Sequence, residues 1–168
     1  ALCMQNRGEI HAFDLHESKL PLITSGAKRL GIDIITAAAR DSSTPCEDLK
    51  GKCDFVICDV PCSGLGVMAK KPEIRFHDSG AWQTLAPLGY AILCASAEYL
   101  KEGGRLLYST CTLTKAENEE NFYRFLDTHT DFHYIDFSLG DVQSTRGCVT
   151  LLPDGERDGF FIALLQKG

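Results

Sequence analysis

Two cysteines stand where strand ends would present them to a ligand. The first lies in Asp59-Val60-Pro61-Cys62-Ser63-Gly64-Leu65-Gly66, directly after residues 53–59 (CDFVICD), the most apolar strand-like run of the chain. The second lies in Tyr108-Ser109-Thr110-Cys111, at the end of the next such run, residues 105–109 (RLLYS). Ligands of open α/β sheets bind beyond the carboxyl ends of strands, so Asp59, Cys62 and Cys111 occupy positions where chemistry is expected. If the two strands are neighbours, both thiols share one rim. A thiolate attacks an electrophilic ring carbon that water does not, and two thiols at one strand-end pocket suit nucleophilic catalysis of that kind. The competing reading is a glycine-rich turn with incidental buried cysteines. The full run D-x-P-C-S-G-x-G behind a strand, followed by a second strand-end thiol, favours catalysis.

Carboxylates also punctuate strand ends. Asp14 lies at the end of the run at residues 9–15 (EIHAFDL), and Asp41 comes after the run at 33–37 (DIITA). A carboxylate after a strand of a Rossmann-like unit accepts hydrogen bonds from ribose hydroxyls; alone, each is equally a turn residue or a helix cap. The basic cluster Lys70, Lys71 and Arg75 comes soon after the glycine-rich loop, where it can meet nucleic-acid phosphates or form a solvated loop. The histidines (His11, His16, His77, His129, His133) show no ligand spacing, and no two cysteines are separated by two residues, so no metal site is expected.

Apolar runs alternate with helical patterns, which predicts an α/β architecture. Residues 18–30 read as a helix stopped by Gly31, with Pro21 tolerated in its first turn. Residues 53–59 read as a central strand buried on both faces. Residues 87–100 form a helix, with Leu88, Ile92 and Tyr99 on one face, and Gly103-Gly104 turns the chain into the strand at 105–109. Thr114-Lys115-Ala116-Glu117 matches a capping box for a helix reaching about Leu126. Residues 132–137 and 159–166 read as the last two strands.

The chain of 168 residues suits a single domain, and 44% hydrophobic with 24% charged residues is ordinary for a globular protein. No apolar run approaches the roughly 18 residues that a membrane helix needs. The sequence opens on Ala1 with neither an initiator Met nor a signal peptide, as a piece of a longer chain would. Four of the eight cysteines (Cys53, Cys58, Cys94, Cys111) lie in or beside apolar runs, as free buried thiols do, which places the protein in a reducing, cytoplasmic compartment. A net charge of −6 argues mildly against RNA binding by this chain alone.

DVPCSGLG, then KKPEIRF, then EGGRLLYSTCTLTKAENEENF and the closing DGFFIALLQ resemble the Sun/RsmB family of RNA cytosine-5 methyltransferases, the bacterial ribosomal RNA enzymes most closely. The likeness runs nearly end to end. It implies a Rossmann-like, S-adenosylmethionine-dependent fold with a mostly parallel sheet and helices on both faces. It implies that Cys111 adds to carbon-6 of a flipped-out cytosine, that Cys62 assists loss of the carbon-5 proton and enzyme release, and that Asp59 bonds the cytosine edge. It further implies that Asp14 holds the cofactor ribose and Asp41 the adenine, with Asp59 beside the cofactor. Pro61 shapes the loop, and Lys70, Lys71 and Arg75 meet ribosomal RNA.

The family's donor-binding loop, glycine-rich and following a first strand, falls before Ala1. Residues 1–7 resemble the tail of the helix after it. One truncated catalytic domain over residues 1–168 is therefore expected, lacking the first strand and inactive alone. The strand at 53–59 should be followed outward by those at 105–109, 159–166 and 132–137. The strand at 9–15 should close directly onto 53–59 or pair with another chain, a route to self-association through exposed edges. Two other readings compete. One is a DNA cytosine-5 methyltransferase, in which the Pro-Cys thiol attacks. The other is a non-catalytic RNA-binding or assembly module that keeps the fold.

Overall fold

The computed structural model describes residues 1–76, 80 and 82–168, which form two compact units, Ala1–Ser42 and Ser43–Gly168. His77 lies outside the described residues.

The first unit is a β-α-β crossover. Strand β1 (Ile10–Asp14) pairs in parallel with β2 (Ile35–Ala39), in register from Ile10↔Ile35 to Asp14↔Ala39. Helix α1 (Leu20–Arg29) joins them, with Pro21 in its first turn, where the missing N–H has no intrahelical partner to lose. Gly31, at φ +65°, ends it in the left-handed conformation that glycine adopts without penalty. Residues 1–7 are not a helix tail: Met4 N–H bonds Ala1 C=O at 3.0 Å, and Gln5 and Asn6 have positive φ, which breaks any helical run.

The second unit holds a five-stranded mixed sheet. Strand β3 (Cys53–Asp59) pairs in parallel with β4 (Leu100–Thr110). Beyond β4 come β5 (Phe132–Tyr134), a small hairpin of β6 (Ser138–Leu139) and β7 (Val142–Gln143), β8 (Cys148–Leu151) and β9 (Phe160–Lys167). The sheet order is β3-β4-β9-β5, with β8 also on β9, and every ladder of β9 is antiparallel. This is the outward order expected. Within the first unit β1 ladders with β2, and within the second β3 ladders with β4.

Helices α2 (Trp82–Ala97) and α3 (Glu119–Thr128) cover one face of this sheet. Leu106 and Tyr108 of β4 and Phe161, Ala163 and Leu165 of β9 alternate into a core with Leu93, Phe122 and Phe125, all fully buried. Burial of each leucine or phenylalanine among them contributes about 1.5–3 kcal/mol. Strand β3 departs from expectation. Val56 and Cys58 face this core, but Phe55 and Ile57 point the other way and remain 49% and 69% exposed. Both helices of the unit pack on the opposite face, so a continuous apolar run is buried on one side only.

Several element ends differ from the expected ones: β2 lies at Ile35–Ala39 and not 33–37, β5 stops at Tyr134, and α2 stops at Ala97, which leaves Tyr99 outside the helix. Helix α2 starts at Trp82 and carries Pro87 inside it, tolerating the loss of one backbone bond. Strand β4 starts at Leu100 and absorbs Gly103-Gly104 as an irregularity between the Cys53↔Leu100 and Phe55↔Arg105 pairings. Helix α3 starts after Asn118, not Thr114; the Glu117 carboxylate takes the Thr114 hydroxyl together with the Ser63 donors and caps no helix.

Candidate active site

The parallel pairing of β3 and β4 sets Asp59 opposite Ser109, and Val60 N–H bonds Ser109 C=O at 3.2 Å. The chains leaving these two strand ends therefore run side by side. Cys62 and Cys111 meet there with their sulfurs 3.4 Å apart, both free and both partly buried. Ser109 Oγ donates to Asp59 Oδ1 at 3.0 Å and fixes that exposed carboxylate at the rim. Burial, and then the neighbouring Cys111 thiol, push the Cys62 thiol up to about 12.

A third segment locks the two loops. Gly66 N–H bonds the Cys111 carbonyl at 3.0 Å, and Gly159 N–H bonds the Gly66 carbonyl at 2.8 Å. The run D-G before β9 thus braces the thiol loops from the far side of the sequence.

Several residues that hold the site gave no functional signal in the sequence. Glu117, 2% exposed, accepts from Ser63 N–H at 2.7 Å, Ser63 Oγ at 2.6 Å and Thr114 Oγ1 at 2.5 Å. Asn118, fully buried, accepts from Thr110 Oγ1 at 2.6 Å and donates to Thr112 C=O at 3.1 Å, so it grips the chain on both sides of Cys111. Tyr108 Oη donates to Glu117 C=O at 2.5 Å. Polar residues after T-C were the available signal, but T-x-x-E has the same spelling as a helix cap.

Of the basic cluster, Lys70 forms an ion pair with Asp158 at 2.6 Å. Lys71 is exposed; Arg75 Nε donates to Pro72 C=O at 3.0 Å, and its guanidinium lies over the exposed Phe76 ring. Pro61 is exposed at the loop's start, and Ile74 anchors the segment as a buried side chain packed near Gly64.

In the first unit, Asp14 ends β1 and Asp41 follows β2, both at the carboxyl ends of a parallel pair. The His16 backbone N–H, at 2.9 Å, holds the Asp14 carboxyl below the usual carboxylate range, with Lys19 at 3.7 Å adding to it against some desolvation. Among the described residues no group of three His, Cys, Asp or Glu side chains could hold a metal, and no helix is long and apolar enough to cross a membrane.

The same arrangement of strands recurs in solved structures. NSun6 from Pyrococcus horikoshii, determined with SFG, is 27% identical and superposes with a TM-score of 0.80 over 99% of this chain and 43% of that one. A methyltransferase homologue from Pyrococcus horikoshii, also 27% identical, gives 0.77 over 98% of this chain and 55% of that one. The fold is that of the Rossmann-like methyltransferases, whose cofactor is S-adenosylmethionine. The family model for 16S rRNA methyltransferase RsmB/F matches residues 1–166, and the chain belongs to that family. A probable ribosomal RNA small subunit methyltransferase B from Synechocystis is 39% identical over 98% of this chain. The chain spans 39% of that relative's length.

Proposed function

We propose that the protein carrying this chain methylates carbon-5 of a cytosine in 16S ribosomal RNA through a covalent adduct on Cys111. The observation that carries this reading is the pair of free thiols 3.4 Å apart at the ends of two adjacent parallel strands, with Asp59 fixed beside them.

The two thiols divide the work. Burial, and then the adjacent Cys111 thiol, push the Cys62 thiol up and disfavour its thiolate. The family resemblance assigns attack to Cys111, and a raised Cys62 thiol is in keeping with that division. Its thiolate forms the S–C bond to carbon-6, and the ring electrons move towards carbon-5, which then takes up the methyl group. Asp59 bonds the cytosine edge where charge builds up. Cys62 first gives up its own proton to solvent, and its thiolate, the stronger base for being raised, then takes the carbon-5 proton; the carbon-5–carbon-6 double bond re-forms, the S–C bond breaks and Cys111 leaves as thiolate. Extrusion of the base from its stack supplies access. Lys71 and Arg75 meet RNA phosphates in a chain whose net charge of −6 offers little other attraction.

Bound S-adenosylmethionine supplies the electrophilic methyl group. The donor set of the first unit fits it: Asp14 presents a carboxylate held in its charged form for the ribose hydroxyls, and Asp41 follows the neighbouring strand for the adenine edge. Asp14→Asn is expected to weaken S-adenosylmethionine binding about tenfold, the worth of a charge-assisted hydrogen bond. Because Asp14 is held below the usual range, wild-type affinity should stay level as pH falls from 8 to about 5. Calorimetry finding equal affinity for the variant would remove Asp14 from the cofactor site.

The reaction itself is tested by incubating the protein with unmodified 16S RNA and methyl-labelled S-adenosylmethionine, then separating the nucleosides by mass spectrometry. Label in 5-methylcytidine is expected. Label in another nucleoside, or label transferred to DNA alone, would overturn the reading.

A further inference from the structure

We propose that Glu117 is a positioning residue whose buried carboxylate ties the Cys62 loop to the Cys111 loop and so sets the distance between the two thiols. This deepens the thiol mechanism above and rests on it. Ser63, next to Cys62, donates to both carboxylate oxygens, its N–H at 2.7 Å and its hydroxyl at 2.6 Å. Thr114, three residues after Cys111, donates to Oε2 at 2.5 Å. Ser63 Oγ also pairs with Thr112 Oγ1 at 2.7 Å, immediately beside Cys111. One side chain thus closes a ring of hydrogen bonds around both loops. Ser63 and Glu117 lie 54 positions apart in sequence, so the bond staples two strand ends and not one local turn.

The two thiols depend on this staple unequally. Asn118 holds Thr110 and Thr112 without help from Glu117, so Cys111 is gripped from both sides. Cys62 is held through its neighbour Ser63, which bonds Glu117 twice and Thr112 once, and by backbone hydrogen bonds from Gly64 and Cys111 to its own sulfur. Loss of the carboxylate removes two of the three bonds on Ser63 and none of the Asn118 bonds, so it loosens Cys62 more than Cys111. Addition by Cys111 continues, while the step that needs Cys62, removal of the carbon-5 proton, slows. A carboxylate sequestered from water is costly unless its bonds are made, so its place at the junction of the two loops, and not in the apolar core, is where three donors can meet it.

Glu117→Gln, which keeps shape, and Ser63→Ala, which removes one hydroxyl, are tested in the full protein. With 16S RNA as substrate, kcat should fall about tenfold in Glu117→Gln with KM unchanged, since a charged acceptor is replaced by a neutral one. A share of the enzyme should remain covalently joined to RNA on a denaturing gel, between the wild type and Cys62→Ala. A second readout needs no RNA. Diamide removes one hydrogen from each thiol and is itself reduced to the hydrazine, joining Cys62 to Cys111 as a disulfide when the sulfurs are close. Peptide mapping should show this link forming about tenfold more slowly in both variants than in wild type. Wild-type cross-linking rates in both variants, or a kcat loss without retained adduct in a setting where Cys62→Ala does retain it, would overturn the proposal. Slow cross-linking in the variants with no adduct in Cys62→Ala upholds the positioning role and overturns the thiol mechanism instead. If Glu117→Gln fails to fold, Ser63→Ala decides on the same two readouts.

Discussion

Cys111→Ala is expected to lower methyl transfer by ~10⁴-fold or more, the scale on which removal of a covalent nucleophile acts. Cys62→Ala should behave differently. Attack and methyl uptake still occur, but the carbon-5 proton has no acceptor, so the enzyme stays joined to its RNA. A denaturing gel with labelled RNA should show a shifted protein–RNA band for Cys62→Ala, none for Cys111→Ala and none for the double variant. The asymmetry follows from the proposed roles; the structure supports them in that burial and the adjacent Cys111 push the Cys62 thiol up, while Asn118 grips the chain on both sides of Cys111. A band for Cys111→Ala and its absence for Cys62→Ala would assign attack to the Pro-Cys thiol, as in the DNA cytosine-5 methyltransferase reading.

The second large effect is expected at Gly66. A Cβ there would lie 2.1 Å from Gly159 O, 2.7 Å from Gly159 C and 2.9 Å from Cys111 O, all backbone atoms that cannot rotate away. Gly66→Ala must therefore push the β9 entry off the thiol loop and break the bonds Gly159 N–H to Gly66 C=O and Gly66 N–H to Cys111 C=O. Overpacking of about 1–3 kcal/mol plus two backbone bonds at ~1 kcal/mol each gives a loss of roughly 3–5 kcal/mol. Urea unfolding should register it as a lower midpoint, with methyl transfer lost as well. Gly26→Ala is the contrast: within α1, with nothing in 4 Å of the added carbon, it should stabilise by about 0.4–1 kcal/mol. Equal midpoints for Gly66→Ala and wild type would show that the loop and β9 part easily.

The strand order and the thiol rim were legible because both are written in contiguous residues. An apolar run announces a strand, and a motif just past its end announces the rim; Cys62 and Cys111 then meet because β3 and β4 pair. What the sequence hid was long-range. Glu117 spells a helix cap with Thr114, and nothing nearby reveals that Ser63 takes its carboxylate. Lys70 looks like a free cation until Asp158, 88 positions away, neutralises it. Strand β8 was missed because Cys148–Leu151 is short and its partner β9 lies beyond a turn of its own. Phe55 and Ile57 were misjudged because apolarity states what a face could bury against, not whether anything lies there.

Strand β9 sits between β4 and β5 and carries β8 as well, yet it follows all of them in the chain. During synthesis on the ribosome, β4 waits with one edge unpaired until residues 160–167 have emerged, and Gly159 arrives just ahead of them to brace Gly66. Contacts this distant in sequence form late and slowly. The thiol rim is therefore expected to reach its final geometry late in folding, and a nascent chain with Cys62 and Cys111 already outside the exit tunnel would hold two thiols not yet fixed side by side.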